Sequence, residues 1–189
     1  MNIVFDFGNV LVEWNPVRLI DLHYPADKRP RYAAADLAPA LIEHRDWQDF
    51  DRGALGGDEL ATRSARRLGL DRESLAAFVD GIPHVLPILH DSVAAVVALT
   101  GNAANGAAAA APHRVLYLSN MPVAFASVLE RRCPWIARFE GGIFSGREQL
   151  SKPDPAIYAA LEQRYALDPA DTLFLDDSPA NVAAAQARG

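Results

Sequence analysis

The sequence predicts an α/β protein built on a mostly parallel sheet, with a helical block inserted near the amino terminus. Three observations carry this. Short apolar, β-forming runs recur at Ile3–Phe5, Val115–Leu118 and Thr172–Leu175, helical patterns alternate with them, and each run ends abruptly in polar residues. Strands alternating with helices form parallel sheets joined by right-handed crossovers. At 189 residues the chain suffices for one substantial core with a modest insertion.

Ile3-Val4-Phe5, followed by Asp6 and Gly8, reads as a buried strand feeding a tight loop. From Pro16 to about His90 strand signals vanish, and Pro30 to His44, Gly57 to Leu68 and Asp71 to Val79 carry helical patterns. Asp58 and Glu59 open the second of these and Gly69 closes it. Asp71 is placed to cap a helix bearing Leu75, Phe78 and Val79. A further helix is expected from about Ile88 to Leu99, stopped at Gly101.

Gly101 to Pro112, GNAANGAAAAAP, lacks a large apolar anchor and reads as a surface loop or a frayed alanine helix without chemistry. Arg114 to Leu118 is the second strand and ends at Ser119-Asn120. Val123 to Arg132 is the next helix, Gly142 to Phe144 a short strand, and Pro155 to Tyr165 a helix with Pro155 in its first turn. Thr172 to Leu175 delivers Asp176-Asp177, and Ala180 to Arg188 is the final helix.

Composition narrows the function classes. Charged residues at 22% and aromatics at 8% describe a globular chain rather than a disordered or fibrous one. The net charge of -6 without a Lys/Arg block argues against nucleic acid as a partner. A single cysteine, Cys133, forms no internal disulfide and reads as packing in a reducing compartment. The opening MNIVFDFGNV lacks a positive n-region, and no run approaches the roughly 20 apolar residues of a membrane span. The expected location is therefore cytoplasmic, without membrane partners. The five histidines show no metal-ligand spacing, no phosphate-binding Gly-rich loop ending in Lys occurs, and the Asp6-Phe7-Gly8 triplet stands without other kinase signatures.

In parallel sheets ligands gather outside the carboxyl ends of the strands. Asp6, Ser119-Asn120 and Asp176-Asp177 all fall there, so three distant segments are expected to converge on one rim. A carboxylate can attack phosphorus and split hydrolysis into formation and breakdown of an aspartyl phosphate, and Asp6 is the candidate. An acidic nucleophile facing a phosphoryl group needs a cation, and hard oxygen donors suit magnesium; Asp177 would complete that site with Asp6 and a backbone carbonyl. Ser119 and Asn120 offer donors for phosphate oxygens. Lys152 supplies a compact charge to offset the carboxylates and the charge of phosphoryl transfer.

The segments IVFDFGNVL, VLYLSN, SKPDPAIY and TLFLDDSPANV together resemble, in order and across nearly the whole chain, the four motifs of the haloacid dehalogenase superfamily. The wording is most similar to a subgroup that includes glucose-1-phosphate phosphatase and the amino-terminal phosphatase domains of epoxide hydrolases. The resemblance implies a Rossmann-like core, residues 1–13 and 89–189, with a small helical cap inserted over 14–88. WQDFDRGALGGDEL, Trp47 to Leu60, is similar to the subgroup's cap motif, and Trp47, Phe50 and Arg52 either face the substrate or pack between cap helices. The resemblance further implies that Asp6 is nucleophile and metal ligand, that Ser119, Asn120 and Lys152 hold phosphate, and that Lys152 also steadies the charges. The backbone carbonyl of Gly8 and Asp177 join Asp6 around Mg2+, Asp176 supports them, and Asn181 orients Asp177 or caps the last helix.

One departure bears on the chemistry. Phosphatases of this superfamily usually carry a general acid/base Asp two residues after the nucleophile, and Gly8 stands there. A positioned acid/base contributes about 10²–10⁴-fold; Glu13 is the nearby candidate to replace it, although a solvent-facing Glu at the cap hinge is the favoured reading of that residue. A second departure is that the family pattern continues into a further strand beyond Gly189, so an exposed sheet edge is expected. The alanine-rich stretch from Gly106 to Ala111 has no counterpart in the pattern.

The expected function is magnesium-dependent hydrolysis of small phosphorylated metabolites, sugar phosphates among them. The alternatives are a metal-independent dehalogenase, in which the same Asp attacks carbon, and a phospho-ligand-binding regulatory module that lost turnover with the acid at position 8. The sequence assigns no oligomeric state.

Overall fold

The computed structural model describes residues 1–101 and 113–189. Its centre is β1 (Asn2–Phe5), all four residues buried, flanked by β2 (Arg114–Ser119) and β4 (Thr172–Leu175); β3 (Gly141–Phe144) lies outside β2. All pairings are parallel, with Ile3 opposite both Val115 and Leu173. Central strands of a parallel sheet are covered on both faces and so carry apolar residues continuously, as β1 and β2 do. The carboxyl ends of β1, β2 and β4 consequently stand side by side.

Side chains alternate between the two faces of a strand. Ile3 and Phe5 enter one apolar cluster, and Val4 enters another with Leu116, Leu118 and Ile143. α9 (Pro155–Tyr165) seals the second cluster with Ile157, Tyr158 and Leu161, and α10 (Pro179–Gln186) lies beside it. On the first face Phe7, fully buried, sits against the rings of Phe144, Tyr117 and Trp135 at 5.1, 5.5 and 5.7 Å. Cys133 is buried in the same cluster, in keeping with a packing role.

Five helices separate β1 from α6 (His90–Leu99): α1 (Pro16–His23), α2 (Ala34–Ile42), α3 (Arg45–Asp51), α4 (Gly57–Leu68) and α5 (Arg72–Val85). α4 buries Leu60, Ala61, Ser64, Ala65 and Leu68, one stripe at helical spacing, and ends at Gly69 with φ 66°. Asp71 accepts from the Ser74 backbone N–H at 2.8 Å and starts α5, which runs past Val79 because Ile82 and Pro83 are also buried. Leu37, Leu41, Leu60 and Leu75 belong to the same cluster as Phe5 and Tyr117, and the helical block meets the rest of the protein chiefly where α5 packs on α7 (Val123–Arg132) and α3 on α8 (Ser145–Glu148).

The remaining elements are α7 and α8, the latter a single turn directly after β3. β4 forms one edge of the sheet, where Leu173 is 46% exposed. Among the described residues no helix is long and apolar enough to cross a membrane. The loop or alanine helix expected over Gly101 to Pro112 lies, apart from Gly101, outside the described residues, and so does the stretch from Gly106 to Ala111.

Candidate active site

The rim is assembled by the loops that leave β1, β2 and β4. After Phe5 the ladder continues for one bond, Asp6 N–H donating to the Leu175 carbonyl at 2.8 Å. The chain then turns, the N–H groups of Leu11 and Val12 both reaching the Phe7 carbonyl. Asn9 adopts φ 51° in this turn, a left-handed conformation that Asn tolerates better than most residues. Its Oδ1 accepts from the Trp14 backbone N–H, and its Nδ2 donates to Asp177 Oδ2, both at 2.8 Å. Asn9 thus ties the loop after β1 to the loop after β4, a role that sequence reasoning missed.

Lys152, its side chain 1% exposed, reaches into the centre of the rim. Its Nζ lies 2.9 Å from Asp6 Oδ1 and donates to Asp176 Oδ2 at 2.5 Å and to the Leu118 carbonyl at 2.9 Å. The contact with Asp6 Oδ1 is an ion pair without an aligned hydrogen bond. Burial raises the Asp6 carboxyl above its usual range, and Lys152 acts against that shift while Asp176 adds to it. Ser119, buried at the end of β2, also favours charged Asp6.

The side chain of Asn120 also fixes the lysine backbone, its Oδ1 accepting from Lys152 N–H at 2.8 Å and one Nδ2 hydrogen going to the Lys152 carbonyl at 2.9 Å, while the residue still lines the cavity. One expected detail changes. Asn181 donates to Asp176 Oδ1 and Oδ2 at 3.0 and 3.1 Å. It orients Asp176 rather than Asp177, and the residue preceding α10 is Ser178, so Asn181 does not cap that helix. Asp176 also accepts from Ser178 N–H at 2.8 Å.

Carboxylate oxygens of Asp6, Asp176 and Asp177 lie within 4.8 Å of one another. Asp176 is already engaged by a cation, an amide and a backbone donor, whereas Asp177 is exposed and receives Asn9 alone among the described residues. Hard oxygen donors of this kind fit a magnesium ion. Asp6 and Asp177 would hold it, and Gly8, which borders the same cavity, would offer its carbonyl. A methyl group at Gly8 would stand 3.8 Å from Asp6 Oδ2 and 3.7 Å from Trp14, so the missing side chain at that position is not a steric requirement.

The cavity above these groups measures about 200 Å³. Its lining includes the polar residues Asp6, Ser119, Asn120, Lys152 and Asp177 and the apolar residues Val12, Trp14, Ile42, Trp47, Met121 and Phe125. Trp47 packs edge-on against Phe50 and Phe125 at 5.8 and 6.5 Å, and Arg52 is paired with Asp49. Of the three residues weighed as substrate contacts, only Trp47 lines the cavity. A second cavity, about 240 Å³, opens between β4, α9 and α10 and contains none of the carboxylates of the rim.

Glu13 does not reach the site. Both of its oxygens accept from Arg18 Nη1 at 2.8 Å, and it borders a separate cavity with Asn15, Arg18 and His23. The acid that does line the site is Asp51, the last residue of α3. Burial pushes its carboxyl well above the usual carboxylate range. In the sequence its only signal was membership of the Trp47 to Leu60 segment.

Comparison with known proteins gives a consistent picture. A family model described as haloacid dehalogenase-like hydrolase matches residues 1–189. The chain is 27% identical over 187 residues to the sesquiterpene phosphatase astK of Aspergillus oryzae, covering 98% of this chain and 85% of that one. The HAD family enzyme bt-2542 of Bacteroides thetaiotaomicron, solved in complex with magnesium and inorganic phosphate, superposes with a TM-score of 0.75 at 19% identity, over 100% of this chain and 90% of that one. L-2-haloacid dehalogenase of Xanthobacter autotrophicus, with chloropropionic acid covalently bound, gives 0.69 at 19% identity, over 100% and 74%.

Proposed function

This chain belongs to the haloacid dehalogenase-like hydrolase family, and we propose that within it the protein is a magnesium-dependent phosphomonoesterase working through an aspartyl phosphate on Asp6. The observation that carries this reading is the carboxylate trio of Asp6, Asp176 and Asp177, with Asp176 neutralised by buried Lys152 and Asp177 left open to the cavity. A dehalogenase attacking carbon has no use for the second, open carboxylate. The Asp6 carboxylate attacks phosphorus, the bond to the ester oxygen breaks, and that oxygen leaves with the bonding pair, to be protonated to the alcohol. Water then attacks the same phosphorus, the bond to Asp6 breaks, and inorganic phosphate is released. Lys152 and the donors around Ser119 hold the phosphoryl oxygens while charge develops. A bound magnesium ion supplies Lewis-acid compensation for the negative charges brought together there.

We assign residues 1–13 and 89–189 to the catalytic core and 14–88 to a cap whose helices shape the substrate end of the cavity. The apolar part of the cavity lining, Val12, Trp14, Ile42, Trp47 and Phe125 among it, favours an apolar organic group by about 25 cal/mol per Å² buried. Small phosphorylated metabolites are the substrate class, and the apolar lining favours alkyl or isoprenoid phosphates over the sugar phosphates that the sequence pattern suggests. The sesquiterpene phosphatase relative supports the same choice.

The test is phosphate release from a panel holding a sugar phosphate, a short alkyl phosphate and an isoprenoid monophosphate, with magnesium and with chelator. Magnesium-dependent release, highest for the apolar esters and abolished by Asp6→Asn, is expected. Release that survives chelation or Asp6→Asn would overturn the mechanism, and preference for the sugar phosphate would overturn the substrate class.

A further inference from the structure

We infer that Asp51, brought to the cavity by the end of α3, is the proton-transfer residue of this site, taking the place that Gly8 leaves without an acid. The inference rests on the phosphatase reading above. α3 carries three aspartates, and two are spoken for: Asp46 faces His44 and Arg63, and Asp49 pairs with Arg52. Asp51 has no ion pair or hydrogen bond to its carboxyl among the described residues and borders the same cavity as Asp6, Gly8 and Asp177.

Its position is built. The Asp51 backbone carbonyl accepts from Ser145 Oγ at 2.5 Å, and Ser145 Oγ in turn accepts from the Met121 N–H at 2.8 Å. One hydroxyl thus links the end of α3 to the loop that follows Ser119-Asn120. Two residues on, Gly53 turns with φ 73° so close to α8 that an added Cβ would lie 2.1 Å from the Gly146 carbonyl. The turn holding Asp51 is therefore clamped to the catalytic rim rather than free to swing.

The proton bookkeeping closes. Protonated Asp51 donates to the ester oxygen as the phosphorus–oxygen bond breaks, so a neutral alcohol leaves and Asp51 becomes a carboxylate. That carboxylate accepts a proton from the water that attacks the Asp6 phosphate. Inorganic phosphate departs, Asp6 regains its carboxylate, and Asp51 is protonated again. Burial, which keeps its carboxyl well above the usual range, suits a group that must hold a proton at the start of the cycle.

The experiment compares parent and Asp51→Asn on n-octyl phosphate, whose alkoxide needs a proton to leave, and on p-nitrophenyl phosphate, whose phenolate does not. The variant should lose about 10²–10⁴-fold in kcat/KM on the octyl ester and stay within a few-fold of the parent on the aryl ester. A burst of p-nitrophenolate should appear in the variant, because the aspartyl phosphate forms but waits for its water. Asp51→Ala is expected to show the same split and serves if the Asn variant does not fold. Equal losses on the two esters, or no loss on either, would overturn the assignment while leaving the phosphatase reading intact. A parent enzyme that releases phosphate from neither ester would overturn that reading, and this assignment with it.

Discussion

Lys152 holds the charge balance of the rim, because one ammonium stands between two carboxylates with almost no access to water. Removing one partner of a buried ion pair costs about 3–5 kcal/mol, since the remaining charge is left uncompensated. Lys152→Met should therefore lose stability on that scale in urea unfolding and release no phosphate. The Asp51 carboxyl behaves in the opposite sense. Its folded-state pKa is raised, so the fold retains a proton that the unfolded chain gives up from the ordinary value of 3.8 upward, and parent stability falls as pH rises through that window. Asp6, Lys152 and Asp177 share its cavity, and the ion pairs of α3, the residue after it and α4 include Arg52 with Asp49 and Arg63 with Asp46 and Glu59. Asp51→Asn should match the parent in acid and exceed it at neutral pH, as urea midpoints at the two pH values would show; an unchanged difference would contradict the shift. Asp6, Ser119, Lys152 and Asp176-Asp177 were legible in the sequence because each follows a strand or opens a polar motif. Asn9, the turn of Asn120 toward Lys152, and Asp51 were not, because each depends on a partner tens of residues away; the choice of Asp176 over Asp177 by Asn181, only five residues off, depends on how the loop after β4 turns its two carboxylates.

Among the elements, those with their own start and stop signals were readable. Residues 57–68, 123–132 and 155–165 were expected as helices, and α4, α7 and α9 have those bounds; β4 likewise matches the run from Thr172 to Leu175. α3 and α8 were not delimited, since seven and four residues hold too little of a helical period to register. α3 is placed by what it touches: Trp47 and Phe50 against Phe125, and the Asp51 carbonyl against Ser145. Gly53→Ala should disturb that placement. It forces a left-handed conformation on a residue with a Cβ and drives that Cβ into the Gly146 carbonyl, a strain of order 1–3 kcal/mol. The expected result is a lower unfolding midpoint together with reduced turnover of alkyl phosphates; undiminished turnover would show that the α3 turn does not position the proton-transfer residue.

For the whole molecule, strand order assembles the candidate site. Because β1 lies between β2 and β4, loops that start at residues 6, 120 and 176 meet, and Lys152 enters from the segment before α9. The sequence showed the alternation of strands and helices but not their spatial order, which is set by which apolar runs pair. The helical block shares one apolar cluster with the sheet face, so the residues it contributes to the cavity, Ile42, Trp47 and Asp51, are held in place by core packing. The most direct test of the central claim is acid quenching of a single turnover of an alkyl phosphate in the presence of magnesium, followed by peptide mapping. A phosphoryl group on the peptide bearing Asp6, absent in Asp6→Asn, is the predicted result; phosphate released with no covalent label on that peptide, or a label carried elsewhere, would contradict it.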